Sequence, residues 1–137
     1  MAEYIDGSEL VALIRDENKT PKKDYLVIDV RTSDHGGGHI PNGIHVPATE
    51  FHGFLPYLVT NYGRVPLIVV HCSYSQVRGP KSARMLKEAL EESAVPAEQR
   101  ARVVILRGGF FTWVHQYKED RMLVQDYDHE YWETFSD

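Results

Sequence analysis

One segment of the sequence combines a nucleophile with a permanent cation. Cys72 and Arg78 lie six positions apart, and Cys72 is the only cysteine among the 137 residues. An arginine presents a planar fork of N–H donors that matches two oxygens of a tetrahedral anion. A cysteine thiolate beside such an anion can attack its central atom. The pair therefore indicates covalent chemistry on a phosphate-sized oxyanion.

The residues around this pair predict a strand, a tight loop and a helix. An apolar run, 67–70, ends at His71, and Gly79-Pro80 follows the arginine, with proline suited to the first turn of a helix. Functional groups of open α/β sheets lie at the carboxyl ends of strands. Loop N–H groups and the positive end of the helix dipole would face the anion there. The same surroundings favour the thiolate form of Cys72.

The whole loop is expected to bind the substrate, mainly through its backbone. The loop residues are Ser73, Tyr74, Ser75, Gln76, Val77 and Arg78. The hydroxyls of Ser73 and Ser75 could also donate hydrogen bonds to the sulfur. His71 either stiffens the loop by hydrogen bonds or simply ends the strand. Because a lone cysteine is usually a small buried apolar side chain, the functional interpretation of Cys72 depends on Arg78.

The remaining pattern predicts an α/β fold, with a mostly parallel sheet of about five strands and helices on both faces. Unbroken apolar runs at 26–28, 67–70 and 103–106 are typical of parallel strands covered on both sides, and a short strand is expected at 44–46. Since no linker or repeat is visible, residues 1–137 are expected to form one domain.

Helices are expected between these strands. Asp6 can cap the first, with Glu9 completing a capping box. The aromatic-rich stretch 51–62 predicts a second helix that Gly53 and Pro56 must break or kink. Others are expected to begin at Gly79 and near Phe110.

Composition and charge argue against several classes of function. A net charge of −5 disfavours general nucleic-acid binding, which needs a basic face. The longest apolar strings fall far short of the roughly 18 residues of a membrane span. The N-terminal residues show no secretory signal, and the histidine spacing suggests no metal site. We therefore expect a cytoplasmic or nuclear protein with no bound cofactor.

Four segments together resemble one known family. His71-Cys72-x5-Arg78-Gly79-Pro80, with Ser75 inside it, resembles the active-site loop of the M-phase inducer dual-specificity phosphatases and the eukaryotic arsenate reductases, which share the rhodanese fold. Asp29-Val30-Arg31 and Gly38-His39-Ile40-Pro41 are similar to the rhodanese signature after the second strand. Leu106-Arg107-Gly108-Gly109-Phe110, with Trp113 beyond, is similar to the closing signature. The resemblance implies a rhodanese-like domain over most of the chain.

The resemblance also implies roles for individual residues. Cys72 would be the nucleophile, forming a phosphocysteine or an arsenate thioester. Arg78 would bind the oxyanion and stabilise its transition state. Asp29 and Arg31 would form an ion pair or hydrogen-bonded anchor beneath the loop. Rhodanese sulfurtransferases have a loop one residue shorter, whereas this seven-residue loop suits phosphate or arsenate.

Two positions depart from the M-phase inducer pattern within the signature segments. Val30 stands where those phosphatases have a second cysteine, so an oxidised Cys72 would need an external thiol. Val77 stands where they have a glutamate that contributes to leaving-group protonation. No general acid is therefore evident, and Glu50 and Asp34 are the nearest candidates.

The C-terminal segment is the third departure. Residues 122–137 contain no Lys or Arg, whereas the cell-cycle enzymes are expected to dock a phosphoprotein through basic residues. The segment is instead acidic, and its aromatic side chains are expected to pack against the domain. These aromatic residues are Tyr127, Tyr131, Trp132 and Phe135.

Two activities remain open at this point. The first is a cysteine-dependent phosphatase of the tyrosine or dual-specificity type. The alternative is an arsenate reductase that uses glutathione and glutaredoxin as external reductants. A thiosulfate sulfurtransferase is less favoured because of the loop length. An inactive rhodanese-like binding module is less favoured because Cys72 and Arg78 are both present.

The fork of Arg78 is the first feature to test. Arg78→Lys keeps the charge but cannot form two parallel hydrogen bonds to one oxyanion. We expect kcat/KM for the oxyanion substrate to fall by about 10²-fold or more. Steady-state kinetics on folded protein measure this, and near-normal activity would make Arg78 merely structural.

Overall fold

The computed structural model describes residues 2–134, whose strands form one sheet. The strands are β1 (Tyr4–Ile5), β2 (Tyr25–Asp29), β3 (Ile44–His45), β4 (Leu67–His71) and β5 (Arg102–Leu106). Their order in the sheet is β1-β5-β4-β2-β3, and every neighbouring pair is parallel. The predicted α/β sheet of five strands is therefore confirmed, although β1 was not anticipated. The central strand, β4, leads directly into the Cys72 loop.

Five α-helices accompany the sheet in the described part of the chain. They are α1 (Gly7–Arg15), α2 (Phe51–Tyr62), α3 (Arg78–Glu91), α4 (Gly109–Tyr117) and α5 (His129–Glu133). Short 3₁₀ turns cover 48–50 and 97–99. The capping box predicted for α1 is present, with the Asp6 N–H donating to Glu9 Oε1 at 3.1 Å. The last helix, α5, was not predicted.

The expected break in α2 is wrong, since the helix runs through both Gly53 and Pro56. Pro56 removes the N–H that would bond the carbonyl of His52 one turn earlier. His52 and Pro56 are both exposed, so water can satisfy that carbonyl. A glycine inside a helix costs only about 1 kcal/mol relative to alanine. The apolar contacts of Phe51 and Leu58, both fully buried, outweigh these penalties.

The sheet has an apolar layer on each face, which explains the unbroken runs of its central strands. Ile28 and Val70 pack on one side with side chains of α2 and α3. Val27 and Val69 pack on the other side with side chains of α1 and α4. Because alternate residues of a strand point to opposite faces, each central strand must be apolar at nearly every position.

The C-terminal helix packs on a glycine segment that follows β2. Trp132 Nε1 donates to the carbonyl of Gly37 at 2.8 Å, and the Tyr131 hydroxyl donates to the carbonyl of Asp34 at 2.9 Å. Side chains at Gly36 and Gly37 would collide with these two rings. The aromatic tail is thus packed against the domain through Tyr127, Tyr131 and Trp132. Phe135 lies outside the described residues.

Within residues 2–134, no helix has the length and apolar character needed to cross a membrane.

Gly37 offers a test of how the tail is seated. Its φ of +75° and the Trp132 ring above it both exclude a side chain. We expect Gly37→Ala to lower the free energy of unfolding by about 1–3 kcal/mol, measured by urea denaturation. Gly53→Ala is the matched control, because a Cβ there meets nothing within 4 Å. That variant should raise the free energy of unfolding by up to about 1 kcal/mol. Equal effects of the two variants would contradict the packing argument.

Candidate active site

The register of the sheet brings together the ends of its middle strands. His71, the last residue of β4, lies beside Asp29 at the end of β2, and Asp29 lies beside His45 at the end of β3. Cys72 follows immediately and is only 3% exposed. The carboxyl edge of the sheet therefore holds Cys72 at the base of its loop, where the sequence predicted it.

Two backbone groups donate to the sulfur of Cys72. The N–H of Ser75 lies 3.2 Å from Sγ, and the N–H of Gly79, at the start of α3, lies 3.3 Å away. Ser75 has a left-handed conformation, with φ of +56°, which turns its N–H inward. Hydrogen bonds to the charged form of a group stabilise that form. The loop therefore aims two backbone donors at the sulfur of Cys72.

The start of α4 fixes the direction of the first two loop peptides. The N–H of Phe110 donates to the carbonyl of Cys72 at 2.9 Å, and the N–H of Phe111 donates to that of Ser73 at 2.8 Å. Gly109 allows this approach, since its φ is +66° and any Cβ there would collide with the Ser73 carbonyl. In a trans peptide the N–H points opposite to the carbonyl. The N–H groups of Ser73 and Tyr74 therefore point away from α4.

Five loop N–H groups remain available for a ligand. Those of Ser73, Tyr74, Gln76, Val77 and Arg78 donate to no other group within residues 2–134. Backbone donors without a protein partner must bind water or a ligand. Successive N–H groups in a loop that leads into a helix form a concave anion site. The loop thus supplies the donors that the sequence predicted for an oxyanion.

Arg78 is the first residue of α3 and reaches back over the loop mouth. Its Nη1 donates to Asp34 Oδ1 at 2.7 Å and to Thr32 Oγ1 at 3.2 Å, while its Nη2 donates to Asp34 Oδ2 at 2.6 Å. The hydrogen bonds to Asp34 raise the pKa of Arg78 above its ordinary value, and the nearby Cys72 sulfur adds to the effect. About a third of the side chain is exposed, so a ligand can reach it.

The loop side chains differ from expectation at Ser73. Its hydroxyl donates to Asp34 Oδ2 at 2.5 Å rather than to the sulfur, because the carboxylate is the stronger acceptor. The Ser75 hydroxyl is buried and has no hydrogen-bond partner among the described residues. Tyr74, Gln76 and Val77 are exposed. Any role they have in binding therefore belongs to their backbone or to the rim of the site.

Asp29 and Arg31 form the predicted ion pair. Arg31 Nη2 lies 2.8 Å from Asp29 Oδ2, and the Arg31 side chain is fully buried. Burial alone would raise the pKa of Asp29, but the neighbouring histidines and Arg31 outweigh it and hold that pKa well below its usual range. The guanidinium also donates to the carbonyls of Gly36 at 3.1 Å and Gly38 at 2.9 Å. The pair thus anchors the segment that carries Asp34.

His71 is buried under the loop in its neutral form. Burial lowers the pKa of His71 below its ordinary value. Nδ1 lies 3.2 Å from the carbonyl of Cys72, so it carries the proton and donates to that carbonyl. Nε2 has no partner among residues 2–134. Of the two sequence interpretations, the hydrogen bond favours the one in which His71 stiffens the loop.

Neither candidate general acid is suited to protonate a leaving group in this arrangement. The hydrogen bonds that Arg78 donates hold the pKa of Asp34 well below its usual range, and those from Ser73 and Thr32 act in the same direction. Asp34 is therefore a carboxylate with no proton to give. Glu50 ends an exposed 3₁₀ turn and makes no hydrogen bond to the loop. Val77 has no proton to donate.

Sequence reasoning missed the two residues that bind Arg78. The sequence pattern indicated Asp34 only as a candidate general acid, and it gave Thr32 no role. The available signal was position, because both follow β2 at the edge where the Cys72 loop ends β4. In the described part of the chain, no group of three or more His, Cys, Asp or Glu side chains could hold a metal ion.

Comparison with known proteins identifies the family. The family model described as a rhodanese-like domain matches residues 8–116. The dual specificity phosphatase ibp1 of Schizosaccharomyces pombe is 33% identical over 115 residues, covering 74% of this chain and 83% of that protein. The solved structure of Ygr203w, a yeast protein tyrosine phosphatase of the rhodanese family, superposes with a TM-score of 0.72. It is 29% identical, and 96% of each chain is covered.

A reductase has a similar structure as well. The As–Sb reductase from Leishmania major superposes with a TM-score of 0.68 and 30% identity, covering 88% of this chain and 82% of that one. The relatives are thus enzymes of two kinds, phosphatases and arsenate reductases. This chain belongs to the rhodanese-like family, among its CDC25-like phosphatase and arsenate reductase relatives.

Proposed function

We propose that this protein is a cysteine-dependent phosphatase that acts through a phosphocysteine on Cys72. The observation that carries the proposal is the position of the Cys72 sulfur. It accepts two backbone N–H bonds at the base of a loop whose other N–H groups are unoccupied by protein, and Arg78 lies at the mouth. This arrangement can bind three oxygens of a phosphate ester and hold its phosphorus in line with the sulfur.

The reaction has two displacement steps. The thiolate of Cys72 attacks phosphorus, the S–P bond forms, and the bond from phosphorus to the ester oxygen breaks. The departing oxygen takes the electron pair and a proton from solvent. Water then attacks the phosphocysteine, the S–P bond breaks, and inorganic phosphate and the thiolate are regenerated. Arg78 and the loop N–H groups stabilise the charge on the equatorial oxygens in both steps.

The lack of a positioned acid favours substrates with good leaving groups. General acid catalysis usually contributes about 10²–10⁴-fold, and none of Asp34, Glu50 and Val77 is suited to supply it. A phenolic oxygen leaves more readily than an alkyl one, because its conjugate acid has a pKa near 10. Aryl phosphates such as phosphotyrosine are therefore the preferred class.

Arsenate reduction is the second candidate, supported by the single cysteine of the chain. Arsenate has nearly the shape and charge of phosphate, so the same loop would bind it. Cys72 displaces a hydroxyl of arsenate as water and forms an S–As(V) bond. One glutathione thiol replaces another hydroxyl, and a second thiol, from glutathione or glutaredoxin, attacks that glutathione sulfur. Arsenic gains two electrons and becomes As(III), and the two thiols become a disulfide. Water then displaces the Cys72 sulfur from As(III), which releases arsenite and restores the thiol.

The two other activities have less support. A sulfurtransferase loop is one residue shorter than the segment 72–78. An inactive module would not need both the nucleophile and the arginine. We also infer a cytoplasmic or nuclear location, where glutathione would keep the lone thiol of Cys72 reduced.

The dependence of rate on leaving group tests the missing acid. We expect kcat/KM for 4-nitrophenyl phosphate to exceed that for phenyl phosphate by at least about tenfold, because the weaker base leaves without protonation. Equal values would show that a proton donor is in place. Cys72→Ser should turn over neither ester while still binding tungstate, since the loop geometry is kept and only the nucleophile is lost. Turnover by that variant would contradict the mechanism.

A coupled assay decides between the two activities. Purified protein is mixed with arsenate, glutathione, glutaredoxin, glutathione reductase and NADPH, with Cys72→Ser as the control. NADPH oxidation that requires both arsenate and Cys72 would identify an arsenate reductase. Its absence in folded protein that hydrolyses aryl phosphates, which is the expected result, would identify a phosphatase.

A further inference from the structure

The guanidinium of Arg78 has a definite division of its donors. It carries five N–H groups, one on Nε and two on each Nη. The two Nη1 hydrogens go to Asp34 Oδ1 and Thr32 Oγ1, and one Nη2 hydrogen goes to Asp34 Oδ2. Nε–H and the second Nη2–H remain. These two lie parallel on the same edge of the guanidinium, which is the geometry that recognises two oxygens of one anion.

The carboxylate of Asp34 is itself held from several sides. The N–H of Thr32 donates to Oδ1 at 3.0 Å, and the Ser73 hydroxyl donates to Oδ2. Its backbone carbonyl accepts the hydroxyl of Tyr131 at 2.9 Å. Asp34 is therefore fixed by the Cys72 loop, by its own turn and by the C-terminal helix. A group fixed in this way can orient its partner.

We propose that Asp34 is a positioning residue for Arg78: it holds the guanidinium by its far edge and thereby presents the Nε and Nη2 edge to the substrate oxyanion. The inference rests on the proposed function and adds a residue to it. Asp34 donates no proton and does not touch the substrate. Its contribution is to remove the freedom of a long side chain before the substrate arrives, so that less entropy is lost on binding.

The proposal predicts an effect of opposite sign to that of simple electrostatics. A carboxylate close to an oxyanion site repels the oxyanion, so Coulomb energy alone predicts tighter anion binding when Asp34 is removed. If Asp34 competes with the substrate for Arg78, its removal also tightens binding. If Asp34 positions Arg78, its removal weakens binding despite the gain of positive charge. The sign of the change separates these cases.

The experiment measures binding of tungstate, a tetrahedral dianion, by calorimetry in a Cys72→Ser background, where no covalent step can occur. We expect Asp34→Ala to weaken tungstate binding by about tenfold or more, the cost of losing preorganised charged hydrogen bonds. Asp34→Asn should be intermediate, because its amide oxygen accepts from one Nη and its NH₂ cannot accept from the other. Unchanged or tighter binding by either variant would overturn the proposal.

Coupling to Arg78 distinguishes positioning from a general structural role. In an Arg78→Lys background there is no fork to orient, so Asp34→Ala should weaken tungstate binding no further. An equal loss in both backgrounds would overturn the proposal. Asp126→Asn is the charge-matched control. It removes one exposed carboxylate, and asparagine tolerates the φ of +57° at that position, so tungstate binding should be unchanged.

Activity measurements keep the two proposals separate. In the active protein, Asp34→Ala should lower kcat for 4-nitrophenyl phosphate and raise KM. Thermal unfolding checks that Asp34→Ala is folded. If Asp34→Ala does not fold, the same kinetic measurements are made on Asp34→Asn. A protein that hydrolyses no ester but still loses tungstate affinity with Asp34→Ala would refute the proposed phosphatase and support the positioning role. Ester hydrolysis by the active protein, together with an unchanged tungstate affinity in Asp34→Ala, would support the phosphatase and refute the positioning role.

Discussion

The chemistry of this protein depends on the direction in which a few peptide groups point. The carbonyls of Cys72 and Ser73 are taken by the first N–H groups of α4, and this turns the following N–H groups away from the helix. Gly109, the first residue of α4, is therefore part of the active site, because a Cβ there would collide with the Ser73 carbonyl and prevent the close approach.

A second layer of support connects the C-terminal helix to the arginine. Tyr131 and Trp132 lie on the glycine segment, Arg31 binds the same segment from below, and Asp34 extends from it to Arg78. Removing one partner of a buried ion pair such as Asp29–Arg31 costs about 3–5 kcal/mol, since a charge is left without a partner. Although the chain has a net charge of −5, Asp29 and Asp34 each bind an arginine, and Arg78 still presents one edge of its guanidinium at the loop.

Much of the architecture could be predicted because its causes are local in the sequence. Unbroken apolar runs mark strands covered on both faces, and Cys72 and Arg78 lie in one short loop. The two-residue strand β1 could not be predicted, because it is defined only by its pairing with β5. The expected break at Pro56 was wrong because the lost hydrogen bond costs less than the burial of Phe51 and Leu58 gains. Asp34 and Arg78 are 44 residues apart, and no local pattern reports which oxygen a distant arginine will bind.

The pairing of β1 with β5 and the anchoring of the loop by α4 also set an order of maturation. Glu3, which directly precedes β1, forms an ion pair with Arg102 of β5, and 99 positions separate the two residues. On a ribosome, the segment with Cys72 is made well before Phe110 and Phe111, the residues whose N–H groups shape its loop. At about 5–20 residues per second, the interval between synthesis of Cys72 and synthesis of α4 is a few seconds, during which the thiol exists without the contacts that α4 makes to its loop. The oxyanion site is complete only when β5 and α4 have docked, so a truncated translation product carries Cys72 without the bonds from Phe110 and Phe111 that direct the loop N–H groups.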